Sequence, residues 1–251
     1  MHNLVIDIGN TNSKLAVFKG KLLVFFQSVP ELNKATLASF IKEQGVEYAA
    51  LSSVRPEDPE LISVLKANTK YLPFSTRLNT GVQNHYQTLS TLGQDRWAKI
   101  IAVHQGFPGQ NCLVIDAGTC ITYDLLDDQE RYFGGSISLG VQMRFQALHH
   151  FTGKLPLVGW NREIQHIPDG ISTDTAITNG VLQGVVNEVE GFIALHNNKH
   201  KNLKVVITGG DAAFLLDQLK NSIYASQISH DPYLVLKGLN EVIAFEYVQK
   251  D

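Results

Sequence analysis

Two short stretches of the chain repeat one pattern, and this repetition limits the possible folds more than any other feature. Leu4-Val5-Ile6 runs into Asp7-Ile8-Gly9-Asn10-Thr11-Asn12, and Cys112-Leu113-Val114-Ile115 runs into Asp116-Ala117-Gly118-Thr119-Cys120. Each acidic turn opens onto a second apolar run, Ser13 to Phe18 and Ile121 to Leu126. Short apolar runs bounded by turn residues read as strands. Strand, acidic turn, strand therefore occurs twice, which predicts an internally duplicated α/β chain. Glycine in such a turn lets backbone approach a ligand closely. Successive N–H groups and the Thr hydroxyl can hold phosphate oxygens, and an Asp at the strand end can hold a cation directly or through water. Two such turns facing each other would clamp a polyphosphate with its metal, as ATP requires.

The remaining pattern supports the duplication. After the first turn come strands at Ser13–Phe18 and Leu22–Ser28, a helix near Ala35–Gln44 and a short strand at Tyr48–Val54. Pro56 and Pro59 open another helix, with Leu61, Ile62 and Leu65 as its apolar stripe. Asn79 to Thr91 reads as a loop, and Gln94–Gln105 as a helix beginning after Gly93. The second half restarts with strands near Cys112–Ile115, Ile121–Leu126 and Tyr132–Ile137, then a helix from Val141 to His150. A loop over Gly153–Asp169, a helix over Thr173–Asn197, a strand at Lys204–Thr208, a helix from Asp211 and a closing helix from Tyr233 to Val248 follow. Gly180, Gly184 and Gly191 in the long helix leave room for a close helix contact. The division falls near Pro108–Asn111, giving halves 1–110 and 111–251 that are expected to pack with a cleft between them.

Composition excludes several classes. A net charge of −3 gives no support for a nucleic-acid surface. No run has the length and apolarity of a membrane span. Asp7 interrupts the first apolar stretch and no basic segment precedes it, so a secretory signal is not expected. Only Cys112 and Cys120 are present, which argues for a reducing compartment, and a cytoplasmic location is expected. Neither Gly-x-x-x-x-Gly-Lys-[Ser/Thr] nor Gly-x-Gly-x-x-Gly occurs, which removes the common P-loop and dinucleotide-binding readings.

Other candidates carry a bland and a functional reading. Gly93-Gln94-Asp95-Arg96 is either a helix start with Asp95 favoured by the macrodipole, or a catalytic pair. In the second case the carboxylate accepts the proton of an attacking hydroxyl and the Arg fork grips a substrate carboxylate. Gly134-Gly135-Ser136-Ile137 and Thr208-Gly209-Gly210-Asp211 place paired glycines at strand ends, where tight turns explain them as well as a nucleotide does. His149 and His150 diverge by about 100° on a helix and read as solvated, while Trp97 and Trp160 read as packing residues.

Together these motifs resemble the type III pantothenate kinases, within the acetate-kinase, sugar-kinase, Hsp70 and actin superfamily. The resemblance spans the chain in order: Asp7-x-Gly-Asn-Thr-Asn-x-Lys14, Gly93-x-Asp-Arg96, Asp116-x-Gly-Thr119 with Thr122 and Asp124, Gly134-Gly135-x-Ile137, Thr173 before Ala176-Ile177, and Thr208-Gly-Gly210. Leu139 stands before Gly140 where that family usually has Pro.

The resemblance implies a duplicated ribonuclease H-like (actin-like ATPase) fold, with a mixed five-stranded sheet flanked by helices in each half. It implies transfer of the γ-phosphate of ATP to the primary hydroxyl of pantothenate, giving 4′-phosphopantothenate in the first step of coenzyme A synthesis. By position, Asp7, Ile8, Gly9, Asn10, Thr11, Asn12, Ser13 and Lys14 form the first phosphate loop, and Thr119 also contacts ATP. Asp95 is the general base. Tyr86, Gly93, Gln94, Arg96 and Thr173 join it in the substrate site. Asp116 holds a monovalent cation, potassium or ammonium, and Asp7 holds Mg²⁺ through water. A homodimer is implied, with neither nucleic acid nor membrane as partner. Two other readings stay open: an accessory or regulatory protein that keeps the fold without turnover, and a kinase of another small alcohol or carboxylate.

Overall fold

The apolar run at the N-terminus becomes β1 (His2–Ile8), whose Leu4, Val5 and Ile6 have no exposed surface. Burial on both faces is what a central strand requires. In the computed structural model, which describes residues 1–56, 58–78 and 80–247, β1 pairs antiparallel with β2 (Ser13–Lys19) and parallel with β4 (Tyr48–Ser53). β3 (Leu22–Val29) adds antiparallel to β2, and β5 (Lys70–Pro73) adds parallel to β4. The order is β3-β2-β1-β4-β5. α1 (Lys34–Glu43) starts where the Asn33 side chain accepts the Thr36 N–H, and α2 (Pro59–Asn68) where Asp58 accepts the Glu60 N–H ahead of Pro59. Leu37, Ile41, Leu61 and Leu65 from these helices close a core with Leu4 and Ile6.

The second strand set repeats the first. β7 (Cys112–Ala117) pairs antiparallel with β8 (Cys120–Leu126) and parallel with β10 (Lys204–Thr208), which pairs parallel with β11 (Ile228–His230). With β9 (Arg131–Leu139) beside β8, the order β9-β8-β7-β10-β11 matches the first sheet strand for strand, and the two-residue β6 (Gln83–Asn84) adds outside β9. α4 (Val141–His150), α5 (Thr173–Asn197) and α6 (Ala212–Leu219) cover this sheet, with Phe145, Val185, Val189 and Leu215 in its core. Both cysteines are free thiols.

By contacts the chain forms two units. The first comprises Met1–Pro108, Glu130–Tyr132 and the segment that starts at Tyr233; the second comprises Gly109–Gln129 and Phe133–Pro232. The last helix, α7 (Leu234–Tyr247), thus joins the N-terminal unit rather than the half 111–251 in which it stands by sequence order. The physical reason is its packing along α3 (Gln94–Gly106): a Cβ on Gly238 would lie 1.8 Å from the Ala98 carbonyl oxygen, so only glycine permits this approach. The Asn240 amide also accepts from Asn3 at 2.9 Å and donates to the Gly20 carbonyl at 2.9 Å.

Other expectations need correction. Gly180, Gly184 and Gly191 meet nothing within 4 Å of a built Cβ, so the close helix contact uses Gly238 instead. Gly134 and Gly135 lie inside β9 and not at its end. A Cβ on Gly135 would sit 1.8 Å from the Tyr123 carbonyl oxygen, so Gly135 allows β9 to lie against β8. The loop expected over 79–91 contains β6, which pairs with Arg131 and Tyr132; Asn79 and Val248, the ends of two expected elements, lie outside the described residues.

Candidate functional site

In the N-terminal unit the first loop closes tightly between β1 and β2, with the Gly9 N–H donating to the Asn12 carbonyl at 3.0 Å. A Cβ on Gly9 would approach that carbonyl oxygen to 3.2 Å. Asn10, Thr11 and Asn12 are exposed at the tip, while Asp7 is buried at the end of β1 directly across from half-buried Lys14 on β2. Cross-strand partners share a sheet face, so this carboxylate and this ammonium emerge on the same side. Arg55, following β4, donates from its Nη2 to the Asn10 carbonyl.

Gly93 caps α3 and sets Asp95 in the first helical turn. The Asp95 side chain is 25% exposed, and its Oδ2 accepts from Lys99 Nζ at 3.0 Å, one turn along the same helix. Burial alone would raise the Asp95 pKa, but the Lys99 ammonium, the Arg96 backbone N–H and the Arg96 charge outweigh it, so the net direction is downward. Asp95 is therefore an ionised carboxylate at neutral pH. A Cβ on Gly93 would come within 2.6 Å of Asp95 Oδ1, so the glycine makes room for this carboxylate.

Arg96 is buried, and its guanidinium lies 5.7 Å from the Tyr86 ring centre. That ring in turn lies parallel to Tyr132 at 6.3 Å. Gln94 is committed elsewhere: its Oε1 accepts the Ser53 N–H at 3.0 Å and its Nε2 donates to the Phe74 carbonyl at 3.3 Å. The unit thus brings Tyr86, Gly93, Asp95 and Arg96 together, with Gln94 fastening the helix start to β4.

In the other unit the second loop is closed by Gly118 N–H donating to Cys120 carbonyl at 3.0 Å. Of the paired glycines after β10, Gly209 packs against it, while a Cβ on Gly210 would meet nothing within 4 Å. Gly209 has φ of 98°, and a Cβ there would sit 2.3 Å from the Ala117 carbonyl oxygen and 2.5 Å from Asp116 Oδ1. Gly140 approaches from the other strand end, where a Cβ would fall 2.2 Å from the Gly118 and Thr119 carbonyl oxygens. Leu139 in place of proline leaves this contact intact, and the Gly140 N–H donates to the Thr119 carbonyl at 3.1 Å. Thr119 is exposed at the tip. Thr122 is the register partner of Asp116, and its hydroxyl is buried with no hydrogen-bond partner. Thr173 stands at the start of α5 on the wall of an apolar groove of about 850 Å³ between α4 and α5.

In the sequence Asp211 reads only as the end of the paired-glycine turn, and Arg162, Glu188 and Lys99 are not singled out. Asp211 is buried and accepts from Arg162 Nε at 2.9 Å, and Arg162 also lies over Trp160 at 5.4 Å. Burial raises the Asp211 pKa, Arg162 opposes this, and the neighbouring Asp116 charge adds to the rise. Glu188 on α5 accepts from Tyr123 at 2.8 Å, Ser138 at 3.1 Å and Arg144 at 2.5 Å. Lys99 could have been noticed from its i, i+4 spacing to Asp95. Its depth could not, because that depends on the helix packed against it. Trp97 and Trp160 pack against Tyr132 and Phe214, as expected of core aromatics.

The sequence profile of the type III pantothenate kinases matches residues 3–195. The chain belongs to this family. The type III pantothenate kinase of Christiangramia forsetii is 39% identical over 256 residues, covering 98% of this chain and 100% of that relative. Type III pantothenate kinases are ATP-dependent kinases of coenzyme A biosynthesis, and the duplicated sheets agree with a kinase fold. Two solved structures repeat that fold. One is the activator of 2-hydroxyisocaproyl-CoA dehydratase from Clostridium difficile with bound ADPNP (TM-score 0.58, 14% identity, 100% of this chain and 96% of that one). The other is a ROK hexokinase from Thermus thermophilus (TM-score 0.51, 15% identity, all of both chains). Among the described residues of this kinase, no helix is long and apolar enough to cross a membrane.

Proposed function

We propose that Asp95 is the general base of this pantothenate kinase, taking the proton of the pantothenate primary hydroxyl as that oxygen attacks the γ-phosphate of ATP. The observation that carries this reading is the Asp95 carboxylate itself: ionised, partly open, and set beside the buried Arg96 guanidinium. Phosphoryl transfer passes through a loose transition state, so a base of low pKa serves by orienting the hydroxyl and accepting its proton late. Arg96, steadied over Tyr86, is suited to grip the substrate carboxylate with its planar fork. Gly93 gives Asp95 its room, Gln94 anchors the helix start, and Thr173 offers a hydroxyl to the substrate from α5.

The Asp7–Lys14 loop and Thr119 hold the phosphates in this reading, through backbone N–H groups and the Lys14 ammonium. Asp7 is suited to hold magnesium through water. Asp116 and the unbonded Thr122 hydroxyl offer oxygen donors of the kind a potassium or ammonium ion takes, which fits a monovalent site. When bound, these cations screen the charge of the transferring phosphate. The apolar groove, with Phe151 82% exposed on its wall, supports assembly as a homodimer, since exposed apolar patches mark association surfaces. The cytoplasm, where ATP and reduced thiols coexist, is the compartment this reading assigns.

The test is phosphorylation of pantothenate by purified protein with Mg²⁺-ATP, comparing potassium with sodium and wild type with Asp95→Asn. We expect potassium-stimulated 4′-phosphopantothenate, and a variant whose turnover is lower by about 10²–10⁴-fold with ATP binding retained. An Asp95→Asn enzyme turning over at the wild-type rate refutes the base assignment.

A further inference from the structure

Lys99 is the one lysine among the described residues with no exposed surface. Taking an ammonium out of water costs several kcal/mol, and an apolar side chain would fill the same helix position without that cost. The position is occupied by a cation whose Nζ lies 3.0 Å from Asp95 Oδ2. The other carboxylate oxygen, Oδ1, lies on the side of Gly93, where the missing Cβ leaves space. We propose that Lys99 is a positioning residue for phosphoryl transfer: its ammonium pins Oδ2 of Asp95 so that Oδ1 is presented to the substrate hydroxyl. The proposal rests on the reading of Asp95 as the base.

The geometry favours this over a purely structural ion pair. Asp95 has two short torsions, so fixing one oxygen against a buried, immobile ammonium fixes the other in space. A charge-assisted hydrogen bond at this distance is about twice as strong as a neutral one. The charges acting on the Asp95 carboxylate are Lys99 and Arg96 on its own helix. β4, packed on the start of α3, brings the neutral Ser52 and Ser53. α7, packed along α3, carries Lys237, Glu241 and Glu246, of which Glu241 pairs with Lys21 at 3.6 Å. With Lys99 gone, burial of the carboxylate is opposed by Arg96 alone, so the Asp95 pKa moves up.

The experiment compares wild type, Lys99→Met, Lys99→Arg and Asp95→Asn, measuring kcat and both KM values across pH. For Lys99→Met we expect kcat near neutral pH to fall about 10–100-fold, as for a misplaced catalytic group, with KM for ATP and pantothenate changed little. We also expect the acid limb of kcat to move up by about 1–3 pH units, the effect of removing a close opposite charge. Lys99→Arg, which keeps a cation, should hold the acid limb near its wild-type position. A structural role alone would lower thermal stability and move the limb, but leave kcat above the limb, where Asp95 is ionised in both enzymes, at its wild-type value. If Lys99→Met does not fold, the wild-type profile still decides: an Asp95-dependent acid limb at or above the ordinary aspartate range overturns the proposal. Failure of the two readings is separable. Wild-type turnover in Asp95→Asn removes the base and Lys99's role with it. An inactive Asp95→Asn beside a Lys99→Met enzyme of wild-type kcat above its limb overturns only the Lys99 proposal.

Discussion

Replacing Gly93 with alanine isolates the placement of Asp95 from the stability of the fold. Gly93 has φ of −57° and ψ of 130°, which any L-residue adopts, so alanine brings no backbone strain. Its Cβ would nevertheless lie 2.6 Å from Asp95 Oδ1, and a comfortable carbon–oxygen contact is about 3.5 Å. The carboxylate must retreat by roughly 1 Å, yet its Oδ2 is held by Lys99 at 3.0 Å. A displacement of about 1 Å in a catalytic group costs roughly 10²-fold in rate, or about 2.7 kcal/mol of transition-state stabilisation. Stability should change far less. Alanine is a poorer N-cap than glycine, but it also restricts the unfolded chain, so the net effect is within about 1 kcal/mol. For a chain of this size that corresponds to about 2–4 °C in Tm. Steady-state kinetics with pantothenate and ATP, alongside a thermal melt, read both quantities. A Gly93→Ala enzyme with wild-type kcat would show that the carboxylate position is not what the reaction needs, and would refute the steric reasoning.

Two further outcomes follow from the second unit. Gly209→Ala places a Cβ against the Ala117 carbonyl and Asp116 at a φ of 98°, so it should cost about 1–3 kcal/mol for the backbone alone and weaken potassium stimulation; a melt and a cation titration check it. Burial lifts the Glu188 pKa, but its Arg144, Tyr123 and Ser138 donors hold it below the ordinary carboxylate range. Its contribution is therefore present at neutral pH and lost as pH falls through the folded value. Glu188→Gln should destabilise by about 1.5–3 kcal/mol near neutrality, and urea unfolding should show the gap narrowing as pH falls below the ordinary carboxylate range.

Much of the site was legible because its signals are local. Asp7, Gly9, Asp116 and Gly118 sit in turns whose chemistry is written in a few consecutive residues, and Gly93-x-Asp-Arg96 is one helix start. The central strands could be read for the same reason: Leu4–Ile6 and Leu113–Ile115 are continuous apolar runs, as strands buried on both faces must be. The short strands β5, β6 and β11 were missed because runs of two to four residues carry little periodicity, and their neighbours supply the pairing. The glycines of α5 were given a packing role that belongs to Gly238, since a small residue signals permission for a close contact and not its presence.

The sequence by itself determined the duplication, the two acidic turns and the kinase family, because these depend on residue identities within short windows repeated along the chain. Only the tertiary structure decided that α7 returns to the N-terminal unit, that Lys99 is buried on Asp95, and that Gly209 and Asp211 close on the Asp116 loop. Each of these depends on where solvent is excluded by segments distant in sequence. The burial that gives a charge or a missing Cβ its energetic weight is a property of the packed chain, not of the residue that bears it.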